Sequence, residues 1–337
     1  MRLVTHAHSP SAGSHPARRR LLSLAAAVVL VAGLAGCSGT GQETTDNAGG
    51  DLDLTYAIVT HSAQGDAFWD RVKSGAERAG SDYGVTVDYT SDPDPARQSQ
   101  LIDNAVAKGV DGIVVSMANP EGLKGSLEKA RAAGIPFVTI NSGMEQSQSY
   151  GAVTHVGQSE TLAGSQTGEK LKEAGWTNAL CIMHEAGNVG HEERCAAAAE
   201  TMGGTLTNLQ VDGTNDAQVK ATIKARLQAD PTIDGVLAMG AQYGLDAVGA
   251  VEESGSAAQV ATFDLTADVC QAVIDGTIIF AVDQQPYVQG YLGVTVLYLK
   301  DINGNDVGGG QPVYSGPAFI TAENAPEILE WAQNGTR

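Results

Sequence analysis

The chain has 337 residues, 42% of them hydrophobic, and a formal net charge of −19 from 39 acidic against 20 basic side chains. So acidic a balance disfavours a phosphate backbone and sets nucleic acid aside as a partner. It suits solubility in an external medium.

At the amino terminus Arg18, Arg19 and Arg20 precede an apolar run from Leu21 to Leu34, followed by Ala35, Gly36 and Cys37. The run is too short to span a bilayer comfortably, and small residues before Cys37 suit a cleavage site, so 1–36 reads as a secretory signal. Leu34-Ala35-Gly36-Cys37 resembles a bacterial lipobox, which implies cleavage before Cys37, lipidation of its sulfur and anchoring to the outer face of the cell membrane. The segment carries four arginines and no acids, so its removal leaves a charge of −23. Residues 37–51 are small and polar and read as a flexible tether. Beyond them no second apolar segment of membrane length occurs.

Short β-rich runs then alternate with amphipathic segments, the pattern of strand-helix units on parallel sheets. Strands are expected at 54–60, 85–90, 112–116, 136–140 and 152–156, with helices at 67–83, 96–108 and 120–133 between them. The pattern begins again with helices at 158–174, 191–202, 216–229 and 242–253 and strands at 178–184, 205–211, 233–238 and 259–263. So many strands exceed one comfortable domain, and two doubly wound α/β lobes facing a shared crevice are expected. Of the cysteines after Cys37, Cys181 in a predicted strand and Cys195 at the next predicted helix are the pair expected to form a disulfide. The alternative is that Cys181, Cys195 and Cys270 are all small buried hydrophobes.

The order and spacing of Gly65-Asp66-Ala67-Phe68-Trp69, Pro136-Phe137-Val138-Thr139-Ile140-Asn141-Ser142, Glu193-Arg194 and Thr262-Phe263-Asp264 resemble the periplasmic sugar-binding family typified by ribose-binding protein. His184–Cys195, HEAGNVGHEERC, is similar to a branch associated with pentoses and sugar alcohols. The resemblance implies a type I periplasmic binding fold joined by a three-crossing hinge. Lobe one would hold 52–156 and 285–315, and lobe two 157–284 and 316–337. It further implies a monomeric receptor that binds a small sugar or polyol, delivers it to the membrane subunits of an ABC importer and needs no cofactor.

By the same resemblance Phe68 and Trp69 supply rings for the C–H face of the guest, or in part a core anchor. Asp66 contacts a hydroxyl or caps the helix. Arg194 forks onto adjacent hydroxyls unless it is a solvated helix-face residue. Asp264 binds hydroxyls, and Gln284 binds the guest or packs the hinge. Asn141 and Ser142 stand where ribose-binding relatives carry an acid and a base, which argues against ribose; the alternative is a plain turn. Gly240 marks a second departure, with Gln242 as a candidate one turn later. His61 is a further candidate, for contact or for a turn.

Other classes are disfavoured. No G-x-G-x-x-G follows the first strand, and neither a phosphate-binding loop nor a nucleophile elbow occurs, so no enzyme is expected. His184, Glu185, His191 and Glu192 suggest a metal, but the two histidines stand seven apart across a turn and lack helical ligand spacing, so none is expected. A repressor would need a basic helix-turn-helix where the signal stands. A co-receptor for sensing or chemotaxis would use the same ligand grip.

Overall fold

A computed structural model of the chain describes residues 53–63 and 65–337. The expected signal segment, the lipidation site Cys37 and the tether to residue 51 lie outside the described residues. The described residues belong to one compact unit.

The first lobe begins with β1 (Thr55–Thr60), α1 (Ala67–Tyr83), β2 (Thr86–Ser91), α2 (Pro95–Lys108), β3 (Gly112–Ser116), α3 (Pro120–Ala132), β4 (Phe137–Ile140), α4 (Met144–Tyr150) and β5 (His155–Gly157). The second follows with α5 (Glu160–Glu173), β6 (Asn178–Met183), α6 (Val189–Met202), β7 (Thr205–Gln210), α7 (Asp216–Ala229), β8 (Gly235–Ala238), α8 (Ala241–Ser254), β9 (Gln259–Phe263), α9 (Ala267–Ile274) and β10 (Ala281–Asp283). The chain then runs through α10 (Pro286–Asn303), β11 (Val313–Tyr314), β12 (Ala318–Ile320) and α11 (Ala325–Gln333).

The two sheets repeat one topology, β2-β1-β3-β4-β5-β11 and β7-β6-β8-β9-β10-β12. Every strand pair is parallel except β10 with β12. The chain leaves the first sheet after β5, returns after β10 and leaves again between β11 and β12, so three connections join the lobes.

Alternation along each strand explains the layers, because successive side chains enter opposite faces of a sheet. In the first lobe Tyr56, Ile58 and Val114 pack under α1 and α10, while Ala57, Val59 and Val115 pack under α2 and α3. In the second, Cys181, Leu237 and Phe263 join α5 and α6 on one face, and Ile182, Val236 and Val260 join α7 to α9 on the other. Helices start where side chains can accept the free N–H groups: Asp66, Asp94, Asn119, Ser159 and Asn188 each cap one.

The sequence expectation omitted α4, α9, α10, α11 and the strands β10 to β12. In α4 only Ser147 and Tyr150 are buried, so no apolar period marks it. Helix α10 is largely apolar because it is covered by both α1 and the first sheet, and such a run reads equally as strand or helix. Strands β11 and β12 are two and three residues long. Among the described residues no helix is long and apolar enough to cross a membrane.

Candidate ligand-binding cleft

Every side chain that lines the floor of the crevice stands at the carboxyl end of a strand or on the helix that follows. This is where open parallel sheets place their binding loops. From the first lobe come His61 after β1, Asp66, Phe68 and Trp69 at the start of α1, and Asn141 after β4; from the second come His184 and Glu185 after β6, Asn188 at the cap of α6 with His191 and Arg194 on it, Met239 after β8, Asp264 after β9 and Gln284 after β10. They enclose a deep cavity of about 20 Å³. It opens through Asp66, Phe68, His184 and Asp264 into an outer chamber of about 890 Å³, where Gln242 and Tyr243 form part of the wall.

Gln284 joins the lobes. Its Oε1 accepts from Asn141 Nδ2 at 3.0 Å, and its Nε2 donates to Asp264 Oδ1 at 2.6 Å. Gln289 and Ser315 fix the Gln284 backbone carbonyl, donating to it at 3.0 and 2.8 Å. Asn141 and Asp264 both sit in the left-handed region, at φ 62° and 67°. Asn and Asp tolerate that conformation better than other residues with a side chain, and it occurs often at functional sites. The alternative of a plain turn at Asn141-Ser142 therefore understates Asn141. Ser142 does not reach the cavity: its hydroxyl shares its one proton between Asn141 Oδ1 at 2.9 Å and Asn188 Oδ1, in the opposite lobe, at 3.2 Å. The Val189 backbone N–H donates to the Ala118 carbonyl at 3.1 Å, so the lobes touch across the cleft.

Arg194 is not a solvated helix-face residue; it is 2% exposed. Its Nε and Nη2 donate to the two carboxylate oxygens of Glu160, at 2.5 and 2.8 Å, and its guanidinium lies 4.8 Å from the centre of the Phe263 ring. Gln158 Nε2 also donates to Glu160 Oε2, at 2.8 Å. The pair meets because α5 and α6 pack at backbone distance. A Cβ on Gly164 would stand 2.5 Å from the Arg194 carbonyl oxygen, which only glycine tolerates. The Cys181–Cys195 disulfide ties α6 to β6 beside this arginine.

The opposing wall is aromatic. Phe68 and Trp69 meet edge to face at 5.0 Å, and His61 meets Trp69 at 4.7 Å. Asp66 accepts from the Phe68 backbone N–H at 2.9 Å, so it caps α1 while lining both cavities. His61 Nδ1 is 2.7 Å from the Ser116 hydroxyl, and its Nε2 lies 3.5 Å from Glu185 across the lobes. Gln242 Nε2 is 3.5 Å from Asp246 Oδ1 and reaches only the outer chamber.

Burial pushes the Asp264 carboxyl up to about 7 against the pull of Arg194 and Gln284. Burial, and then the charge of Glu185, push Asp66 up to about 6. Burial acts to raise Glu185 too, but His61 above all, with His184 and His191, outweighs it and holds that carboxyl well below its usual range. Burial lowers His184 to about 4. Asp66, Glu185 and Asp264 make the described floor rich in carboxyl groups, and the charge of Arg194 beside them is already matched by Glu160.

Sequence reasoning missed Glu160, Asn188 and Tyr243, and the seven-residue spacing of His184 and His191 gave no sign that they and Glu185 come together. The turn before α6 folds back, and ligand atoms of these three residues lie within 4.8 Å of one another. The HExxxxxH run was the available signal.

Comparison with known proteins gives a consistent picture. A periplasmic binding protein domain model matches residues 56–305. A solved carbohydrate transporter from Acidothermus cellulolyticus 11B, in complex with myo-inositol, is 40% identical, with a TM-score of 0.84 over 85% of this chain and 100% of its own. The ribose import binding protein of Bacillus subtilis is 24% identical over 73% of this chain and 81% of its own length. A xylitol-binding protein of Mycolicibacterium smegmatis is 26% identical over 70% and 68%.

Proposed function

From the premise that the chain belongs to the periplasmic binding protein family, we propose that it is the extracytoplasmic binding component of an ABC importer, with a small neutral polyol or sugar as its guest. The observation that carries this reading is the Asn141–Gln284–Asp264 chain of hydrogen bonds, which places amide and carboxyl groups of both lobes at one point facing the cavity. Hydroxyls both donate and accept, so amides, carboxylates, imidazoles and a guanidinium edge suit them, while Phe68 and Trp69 suit the C–H face of the same molecule. The carboxyl-rich floor argues against an anionic guest such as a sugar acid or sugar phosphate. The lobes touch, and the deep cavity is too small for a ring, so the guest enters when the hinge opens and is retained by a closure less complete than this one, which leaves room for the ring while both sets of groups reach it. Binding and release involve no covalent chemistry.

Myo-inositol in the 40%-identical relative makes inositols the first guests to test, ahead of pentitols, pentoses and hexoses. A thermal-shift panel tests the reading, because a guest that binds only the folded protein raises its melting temperature by mass action. A rise with a polyol or sugar supports it; no rise with any of them rejects it. We further propose that Cys37 carries a lipid anchor. Labelled fatty acid should then be incorporated into the parent and not into Cys37→Ala, and a parent that takes up no label rejects the anchor.

A further inference from the structure

The deep cavity, about 20 Å³, has room for a single water-sized species. Glu185 meets three imidazoles there. Its Oε2 lies 3.5 Å from His61 Nε2 and 4.0 Å from His191 Nε2, and its Oε1 lies 3.9 Å from His184 Nε2. Only the His61 contact is within hydrogen-bond reach; the His184 and His191 contacts are too long for one. Two donors held at about 2.0–2.1 Å by a tetrahedral ion stand roughly 3.3 Å apart; the three ligand atoms here lie within 4.8 Å of one another, so side-chain shifts of about an ångström bring this set onto one ion.

A second observation points the same way. The side chains of His184 and His191 are 8% and 6% exposed, and the Nδ1 atom of each is buried with no hydrogen-bond partner. Neither ring is therefore committed to a protein partner through Nδ1, so each is free to turn its Nε2 from Glu185 onto an ion. Asp66, Glu185 and Asp264 add carboxyl groups around the same cavity, while the charge of Arg194 is matched by Glu160.

We propose that His184, Glu185 and His191 form a binding site for a divalent transition-metal ion of the zinc class. Two imidazoles and one carboxylate are the mixed nitrogen and oxygen donors that zinc, nickel and cobalt prefer, whereas calcium and magnesium take all-oxygen shells. All three ligands belong to the β6–α6 segment of the second lobe. The fourth position opens toward the cleft, where His61 faces it from the first lobe with its Nδ1 engaged by Ser116 and its Nε2 directed at Glu185. An ion there holds a water or a guest hydroxyl at that position and adds a contact between the lobes. The site stands whether or not the guest is a polyol.

The test is calorimetric titration of Zn²⁺, Co²⁺, Ca²⁺ and Mg²⁺ into the purified full chain after chelator treatment, repeated on His184→Gln, His191→Gln and Glu185→Gln, each checked for folding by circular dichroism. The expected result is one Zn²⁺ or Co²⁺ bound per chain in addition to any weaker background, with no response to Ca²⁺ or Mg²⁺. Each substitution should weaken that event by at least the roughly 10- to 100-fold that loss of an outer-shell partner costs. The Co²⁺ absorption spectrum of the parent should change in the variants. No such event, or an event of equal affinity in all three folded variants, overturns the proposal. Polyol binding is measured separately on the chelator-treated parent, so failure of the metal site leaves that result intact.

Discussion

Asn141 and Asp264 occupy equivalent places in the two lobes: each directly follows the fourth strand of its sheet, each is left-handed, at φ 62° and 67°, and both bond to the same Gln284 side chain. Replacing Gln284 by Ala removes both bonds. At about 1 kcal/mol each, guest affinity should fall roughly 10- to 100-fold. Calorimetry of parent and variant measures this, and a lowered melting temperature with unchanged affinity would assign Gln284 to hinge packing alone.

Arg194 depends on Glu160 for its charge balance, since both side chains are at most 2% exposed. Glu160→Gln keeps the shape and removes the carboxylate. Breaking such a pair costs about 3–5 kcal/mol, and the freed guanidinium loses its fixed orientation toward the cleft. Urea unfolding should show the loss of stability, and guest affinity should fall with it. A variant as stable as the parent would contradict this account of the pair.

The disulfide closes a loop with a sequence separation of 14 between Cys181 and Cys195 and contributes about 3 kcal/mol by the chain-entropy estimate. Because α6 carries His191 and Arg194, reduction should lower both the melting temperature and the guest affinity. Calorimetry with and without a reductant measures both. Unchanged affinity would show that α6 keeps its place without the tether.

Asp264 titrates near 7 in the folded protein, against an ordinary value of 3.8. An acid raised in this way holds an extra proton in the native state between those values. Its stabilising contribution is therefore complete below about pH 4 and is lost as the pH rises through about 7. Asp264→Asn removes that slope. Urea unfolding of the guest-free parent and variant should show the parent-minus-variant stability falling between about pH 4 and pH 7 and levelling above it. A constant difference would contradict the raised pKa.

The lobes are legible because strand alternation and helix caps are local, and hydrophobic patterning carried the reading as far as Phe263. The later elements are short or covered on several sides, and they carry no such pattern. Phe68, Trp69, Arg194, Asp264 and Gln284 were named by their resemblance to the sugar-binding family, and all five line the cleft. Glu160 was not legible: it stands 34 residues before Arg194 and reaches it only because α5 and α6 pack at glycine distance. The convergence of His184, Glu185 and His191 likewise depends on a turn that spacing alone does not describe.

The central claim is that residues of both lobes hold one hydroxyl-rich guest between them. Titration calorimetry of myo-inositol, xylitol and ribose into the parent, Trp69→Ala and Asp264→Ala tests it most directly. The account predicts one tight site in the parent for a polyol or sugar, weakened by the change in either lobe. A tight site untouched by both substitutions would contradict it.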